Sequence, residues 1–452
     1  MSLPELKSLK QRVLRAGGWN FAGYGIRQVV RLGTNLIMTR LLVPEMFGVM
    51  AIALMLTQIL GLFSDIGLRQ NIVRSTRGDD PAFLDTAWAF QVIRGFVLWL
   101  VALGLGIALH FAILAEIFSA KSVYSSPVLP FVIAVSSFST IINGFRSTKW
   151  ATAHRRFDQK RIAQIELIAQ LAALAVMIVI GAATRSIWAL VAGGLVAALV
   201  VTVLSHAWMD GHSNRFRWEK NAIRELADFG KWVFISSAVG IVAGSGPTVL
   251  LGAWVDAHTL GLYTIATLIV GAIPTGLTRF STMVSLPALS EIARNEPSRL
   301  REVYYRLRVP ADLLLLFLMG LLWTAGPFVI DLLYDPRYSA AGGILQILAL
   351  ALFAERFRFA IEIYLAVGIP RYLTMLSLVG LVSVYSLIPL MYYLGGVQGA
   401  MWGIALNGLL AVPLIFRFNA ELRVVDLRRE LAVLAALPFG FLCGFALNLL
   451  RG

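Results

Sequence analysis

Apolar and polar positions come in blocks along this chain. Thirteen predominantly apolar stretches of 18 or more residues run from one end to the other, at about 17–42, 46–68, 83–109, 127–146, 162–183, 187–208, 232–254, 259–283, 309–333, 341–366, 372–394, 397–417 and 431–450. A helix that spans a bilayer needs about 20 residues at 1.5 Å each. Hydrocarbon cannot satisfy free backbone groups, so each stretch is predicted to be a helix. The fold class that follows is all-α, a polytopic membrane protein. The outer turns Val43–Glu45, Thr184–Ser186 and Gly395–Gly396 are very short, which makes the helices they join antiparallel neighbours.

The first block, Gly17 to Leu42, breaks the apolar pattern with Arg27, Gln28, Arg31 and Asn35. On a helix Tyr24, Gln28, Arg31 and Asn35 fall at i, i+4, i+7 and i+11, a single stripe with Arg27 at its edge. A cation at the bilayer centre costs roughly 2.5–3.5 kcal/mol on insertion scales, so this stripe should face an interior that is wet or holds something anionic. By position within their blocks Arg94 and Arg356 also fall near mid-membrane, and Arg358 slightly toward the cytoplasm. Guanidinium matches a diphosphate with paired, charge-assisted bonds and keeps its charge. Arg27, Arg31, Arg94, Arg356 and Arg358, with Tyr24, Gln28 and Asn35, are therefore predicted to line a cationic cavity. The alternative is internal pairing, as for Arg358 with Glu355 or Glu362; Arg27, Arg31 and Arg94 have no acid within a helical turn. Arg356 and Arg358 lie about 200° apart on a helix and cannot share a face, so one of them serves structure.

Other polar positions are sparser. Asp65 and Arg69, at i and i+4, read as a local ion pair or as a gate at the inner mouth. Glu166 shares a face of the fifth span with Gln170 and is a candidate for ion or proton coupling. The seventh span carries Gly240, Gly244, Gly246 and Pro247. Glycine weakens a helix and Pro247 removes a backbone bond, so a hinge is predicted there. A close helix–helix contact at GIVAG is the other reading.

Composition agrees with the pattern: 58% hydrophobic residues, 14% charged and a mean hydropathy of +0.77. The net charge of +14 is distributed by topology. With a cytoplasmic N-terminus, 28 cations fall in inside segments and four outside, which fixes the orientation by the positive-inside rule. Anionic membrane lipids, not nucleic acid, are the expected contacts of the basic segments. The lone Cys443 excludes a disulfide framework and a thiolate zinc site. No zinc-binding helix motif, phosphate-cradling loop or nucleophile elbow is present, so neither an enzyme nor a cofactor is expected. The N-terminus, PELKSLKQRVLR, reads as a charged amphipathic segment and not as a cleavable signal peptide.

The chain also repeats. Shifted by 213 residues, Gly17–Ser75 lies over Gly230–Ala288 with eight identities in 59 positions, among them Gly17 on Gly230, Trp19 on Trp232, Gly33 on Gly246 and Gly48 on Gly261. Both copies open a six-helix block, which suggests two parallel repeats. The organisation read from this is a cytoplasmic segment 1–16, a six-helix lobe 17–209, a basic cytoplasmic linker 210–231, a second six-helix lobe 232–419, and a segment 420–452 holding an appended helix.

The opening GWNFAGYGIRQVVRLGTNLIMTRLLVPEMFGVMAIAL, then FSDIGLRQNIVRS, resembles the Wzx-type polysaccharide flippases of the multidrug/oligosaccharidyl-lipid/polysaccharide exporter superfamily. LLGAWVDAHTLGLYTIATLI, SLPALSEI and the basic loop STKWATAHRRFDQKRIAQIE are similar to that family's pattern as well. The resemblance covers spans 1–12; members usually have twelve or fourteen, and thirteen departs from both. It implies a V-shaped pair of six-helix bundles in the bacterial inner membrane. These would carry undecaprenyl-diphosphate-linked oligosaccharide units to the periplasmic leaflet by alternating access, with polysaccharide polymerase and export machinery as downstream partners. A multidrug cation exporter of the same superfamily should instead hold a buried acid, and a polymerase or ligase a large outer loop; a scaffold explains neither the repeat nor the arginines.

Overall fold

In the computed structural model residues 23–63, 68–156 and 158–449 are described. Each of the thirteen apolar stretches is helical within those residues. Helix α1 covers 23–41, α2 Pro44–Phe63, α3 Pro81–Leu114, α4 Leu129–Gly144 with a break after Ser136, α5 Gln159–Thr184, α6 Trp188–Ala207 and α7 Lys220–Trp254. Helix α8 covers Ala257–Phe280 and α9 Leu300–Leu333. Helix α10 is broken into Ala341–Ala349, Ala351–Glu355, a 3-10 turn Arg356–Phe359 and Ala360–Val367. The last three are α11 (370–394), α12 (397–421) and α13, Leu427–Leu449. Among the described residues eight helices are long and apolar enough to cross a membrane, or nine if the bent pair Leu129–Gly144 and Lys149–Arg155 is one span. The difference from thirteen has local causes. The described part of α1 carries three arginines, α7 is apolar over only Gly240–Trp254, α10 is interrupted, and α11 and α12 run together.

Aspartates begin several helices for a common reason, which is that the first amides of a helix lack intrahelical acceptors. Asp80, Asp158, Asp256 and Asp426 accept from the backbone N–H of Ala82, Arg161, Thr259 and Arg429. At the opposite kind of boundary, Gly396 sits at φ 60°, ψ −144°, a conformation open to glycine, and turns α11 into α12.

The chain forms two compact units, Met1–Ile241 and Val242–Gly452, whose boundary falls inside α7. In the first unit α3 and α4 approach through Gly95 and Gly144, where a Cβ on Gly95 would fall 2.6 Å from the Thr140 carbonyl. The basic segment after α6 is fastened to the start of α3. His212 Nε2 meets Asp85 Oδ1 at 2.7 Å, the Arg215 amide donates to the same oxygen, and Arg77 bridges Asp80 and Glu219 at 2.6 and 2.9 Å. The bond from Arg77 holds the Asp80 carboxyl below its ordinary range. The second unit has an aromatic core of Tyr304, Tyr305, Phe357, Phe359, Tyr364, Tyr372 and Phe418. Its α13 is not a loose appendage. It crosses α9 where Gly320 and Gly440 bring the backbones together, and Asn448 donates to the Thr324 carbonyl at 2.7 Å.

Candidate functional site

In the first unit α1 is tied to α5. Arg27 Nη1 lies 3.0 Å from Glu166 Oε2, and one turn further along α5 Gln170 donates to the Arg27 carbonyl at 3.1 Å. Glu166 is thus the counter-ion that sequence proximity could not supply. Arg31 is exposed; Tyr24, Gln28 and Asn35 are half-buried, and the Gln28 amide nitrogen has no hydrogen-bond partner among the described residues. Arg94, on α3, donates to the Gly61 carbonyl at 2.8 Å near the C-terminal end of α2. A cation there meets carbonyls that the helix leaves unpaired and the negative end of its dipole. Asp65 lies outside the described residues, as does the Arg69 side chain.

A cavity of about 330 Å³ in this unit has a polar wall that the sequence reading passed over: Ser136, Ser139 and Asn143 of α4, then Arg146, facing Glu166. Spacings of three, four and three residues are a single helical stripe and were visible in the sequence. The Arg146 guanidinium stands 5.4 Å from the centre of the Trp150 ring.

In the second unit Arg356 and Arg358 share the 3-10 turn Arg356–Phe359 and differ in burial and ion partner, although both border a cavity of about 200 Å³ together with Glu355 and Glu362. Arg356 is buried, donates to Glu430 Oε2 at 2.8 Å and lies 4.4 Å from the centre of the Phe357 ring. Arg308, fully buried on α9, reaches both oxygens of Glu430 at 2.6 and 3.1 Å and meets Asp312 at 3.0 Å. Two cations and two anions therefore neutralise one another at the start of α13, and Arg356 is the arginine of the pair that serves structure. Arg308 lies just before the apolar stretch 309–333, and its burial depends on Glu430, 122 residues away.

Arg358 has the other fate. Its side chain is 58% exposed, with Glu355 at 3.3 Å, and it lines a cavity of about 600 Å³. Across that cavity α8 presents Tyr263, Thr267, Gly271, Thr275, Thr278 and Arg279, successive turns of one face. Thr275 and Thr278 donate their hydroxyl protons to the carbonyls of Gly271 and Pro274, at 2.7 and 2.9 Å, so their oxygen lone pairs are available as acceptors. Arg279, near the C-terminal end of α8, lines the same cavity. The cavity offers two guanidinium groups and a ladder of hydroxyls.

Of the hinge residues on α7, Gly240 and Gly244 face open space, whereas a Cβ on Gly246 would fall 2.5 Å from Val384 Cγ1 of α11. Tyr385 of α11 also donates to the Val242 carbonyl at 3.0 Å. The helix continues through Pro247.

The described residues form a helical chain with apolar spans, buried arginines and polar cavities within each unit, and known proteins share this fold. The family described as "Polysaccharide biosynthesis protein" matches residues 37–342, and the chain belongs to that family. Among solved structures it is similar to an inward-closed structure of the lipid II flippase MurJ, with a TM-score of 0.67 and 14% identity over 93% of this chain and 91% of that one. It is also similar to an inward-facing multidrug resistance transporter of the MATE family and MOP superfamily, with a TM-score of 0.66 and 12% identity over 90% and 95%. A MOP superfamily transporter from Pyrococcus furiosus, whose binding pocket is described as of reverse polarity, follows with a TM-score of 0.57 and 14% identity over 94% and 96%. No curated protein sequence matches. The fold is that of the MOP exporter superfamily, and the likeness to its polysaccharide flippases read from the sequence stands.

Proposed function

We propose that this protein flips diphosphate-linked oligosaccharide lipids from the cytoplasmic to the periplasmic leaflet of a bacterial inner membrane, by alternating access and with its N-terminus in the cytoplasm. The observation that carries the reading is the cavity of the second unit. There Arg358 stands opposite a face of α8 that carries both hydroxyls and Arg279. A lipid diphosphate brings a charge of about −2 and several acceptor oxygens, for which guanidinium is the fitting donor. The sugar hydroxyls donate to the threonine oxygens. Glu355 accompanies Arg358 when no anion is bound, so the cation is not left bare in a low-dielectric site. The glycan delivered would pass to polymerase and export machinery.

Replacing Arg358 by alanine should reduce glycan export by about tenfold or more, the equivalent of one charge-assisted bond at about 1.5–3 kcal/mol. Lysine keeps the charge without the paired geometry and should restore only part of the export. Complementation of a flippase-deficient strain, with expression checked by immunoblot, measures both. Full export by Arg358→Ala together with Arg279→Ala would overturn the reading.

A further inference from the structure

The second unit holds another cavity with different chemistry. About 590 Å³ in size, it is lined by Thr259 and Leu262 at the start of α8, Trp323 of α9, Gly343, Gln346 and Ile347 at the start of α10, and Gln398 and Trp402 at the start of α12. The starts of α8, α10 and α12 lie at one end of the unit, opposite its basic loops, which is the periplasmic end in the proposed orientation. Among the described residues no Asp, Glu, Lys or Arg lines it.

Three features bear on what it holds. First, Trp323 and Trp402 stand edge to face with ring centres 5.8 Å apart, so the wall presents indole surface in two orientations. Second, Gln346 donates its amide nitrogen to the Trp323 carbonyl at 2.7 Å, which fixes that amide at the wall, while Gln398 is exposed. Third, Gly326 and Gly342 bring α9 and α10 into close contact beside it. A lipid tail would set the Gln398 amide and the Thr259 hydroxyl against hydrocarbon, at a cost of about 1–3 kcal/mol each. An anionic group would find no cation. A sugar ring satisfies both halves of the wall, setting its C–H face against indole and its hydroxyls against amides and Thr259.

We infer that this cavity is a saccharide subsite that receives sugar rings of the cargo at the outer end of the second unit, separate from the arginine cavity that takes the diphosphate. The inference rests on the proposed function and deepens it. A division of this kind lets the diphosphate and the glycan be released in separate steps.

The test uses the full chain in nanodiscs of phosphatidylethanolamine and phosphatidylglycerol. The probe is the repeat-unit oligosaccharide released by mild acid from the host's surface polysaccharide, free of lipid and diphosphate. Binding is read by saturation-transfer NMR. The wild type should bind, Trp402→Ala and Gln398→Leu should weaken binding about tenfold, Trp402→Phe should recover most of it, and Trp188→Phe, an exposed tryptophan of the first unit, should have no effect. Absence of saccharide binding by the wild type, or equal binding by all variants, overturns the inference. A parallel titration with undecaprenyl diphosphate separates the two claims. Retained, Arg358-dependent lipid binding without saccharide binding sinks the subsite alone, whereas saccharide binding with no lipid diphosphate binding sinks the arginine cavity.

Discussion

Glu430 is the residue whose loss the structure makes easiest to price. Its carboxylate accepts four hydrogen bonds, from Arg308 Nη1 and Nη2, Arg356 Nη2 and the Tyr305 hydroxyl, at 2.6, 3.1, 2.8 and 2.9 Å. Both arginines are buried, and Arg356 Nε and Nη1 have no hydrogen-bond partner among the described residues. Alanine at position 430 leaves two buried cations facing Asp312 alone, and breaking a buried ion pair in this way costs about 3–5 kcal/mol. For a unit of this size that corresponds to a fall in melting temperature of about 6–20 °C. Glutamine should do little better, because its amide hydrogens face guanidinium donors. Adding Arg356→Met to Glu430→Ala removes one stranded cation and should recover several degrees, so the second substitution stabilises only in the presence of the first. The assay is thermal stability of a fluorescent fusion, followed by size-exclusion chromatography in detergent. A melting temperature for Glu430→Ala within 2 °C of the wild type would refute the argument that this cluster fastens α13 to α9 and α10.

Two further outcomes follow from particular contacts. Gly246→Leu should destabilise the second unit by about 1–3 kcal/mol, since the new side chain must displace Val384; Gly244→Ala, facing open space, should not. Equal thermal stability of the two variants would favour a hinge at Gly246 over a packing contact. Glu355→Gln removes the counter-ion of Arg358 and should tighten undecaprenyl diphosphate binding several-fold while slowing export. Unchanged binding in a nanodisc titration would show that Glu355 does not compete with the cargo.

The positions of the helices were legible because the signal is cumulative: about 20 apolar residues in a row admit few other structures in a bilayer. Interruptions inside a span were harder. The 3-10 turn at Arg356–Phe359 has no proline or glycine to announce it. The different burial of Arg356 and Arg358 was readable from their spacing, but the expectation that they share no wall was not met, since both border a cavity of about 200 Å³. Partners distant in sequence were not readable at all. Glu166 lies 139 residues beyond Arg27 and Glu430 122 beyond Arg308. Hydrophobic periodicity reports the face a residue occupies and says nothing of which helix lies opposite.

These pairings change what a buried arginine implies. An unpaired guanidinium deep in a membrane would by itself demand an anionic passenger, but Arg27, Arg308 and Arg356 already have carboxylates, and Arg94 has a carbonyl near a helix end. The inference to anionic cargo therefore depends on how readily a cation can exchange its partner. Arg356 cannot, since Glu430 is held by three other donors and the Arg356 guanidinium itself lies against the Phe353 and Phe357 rings. Arg358 can. Its ion pair with Glu355 is partly open to solvent, a geometry worth about 0–1 kcal/mol, whereas a charge-assisted bond to phosphate contributes about 1.5–3 kcal/mol. Under the proposed function the exchange would be downhill when a diphosphate arrives and shallow enough to reverse when it leaves. A transporter requires both properties, and a buried structural ion pair has neither.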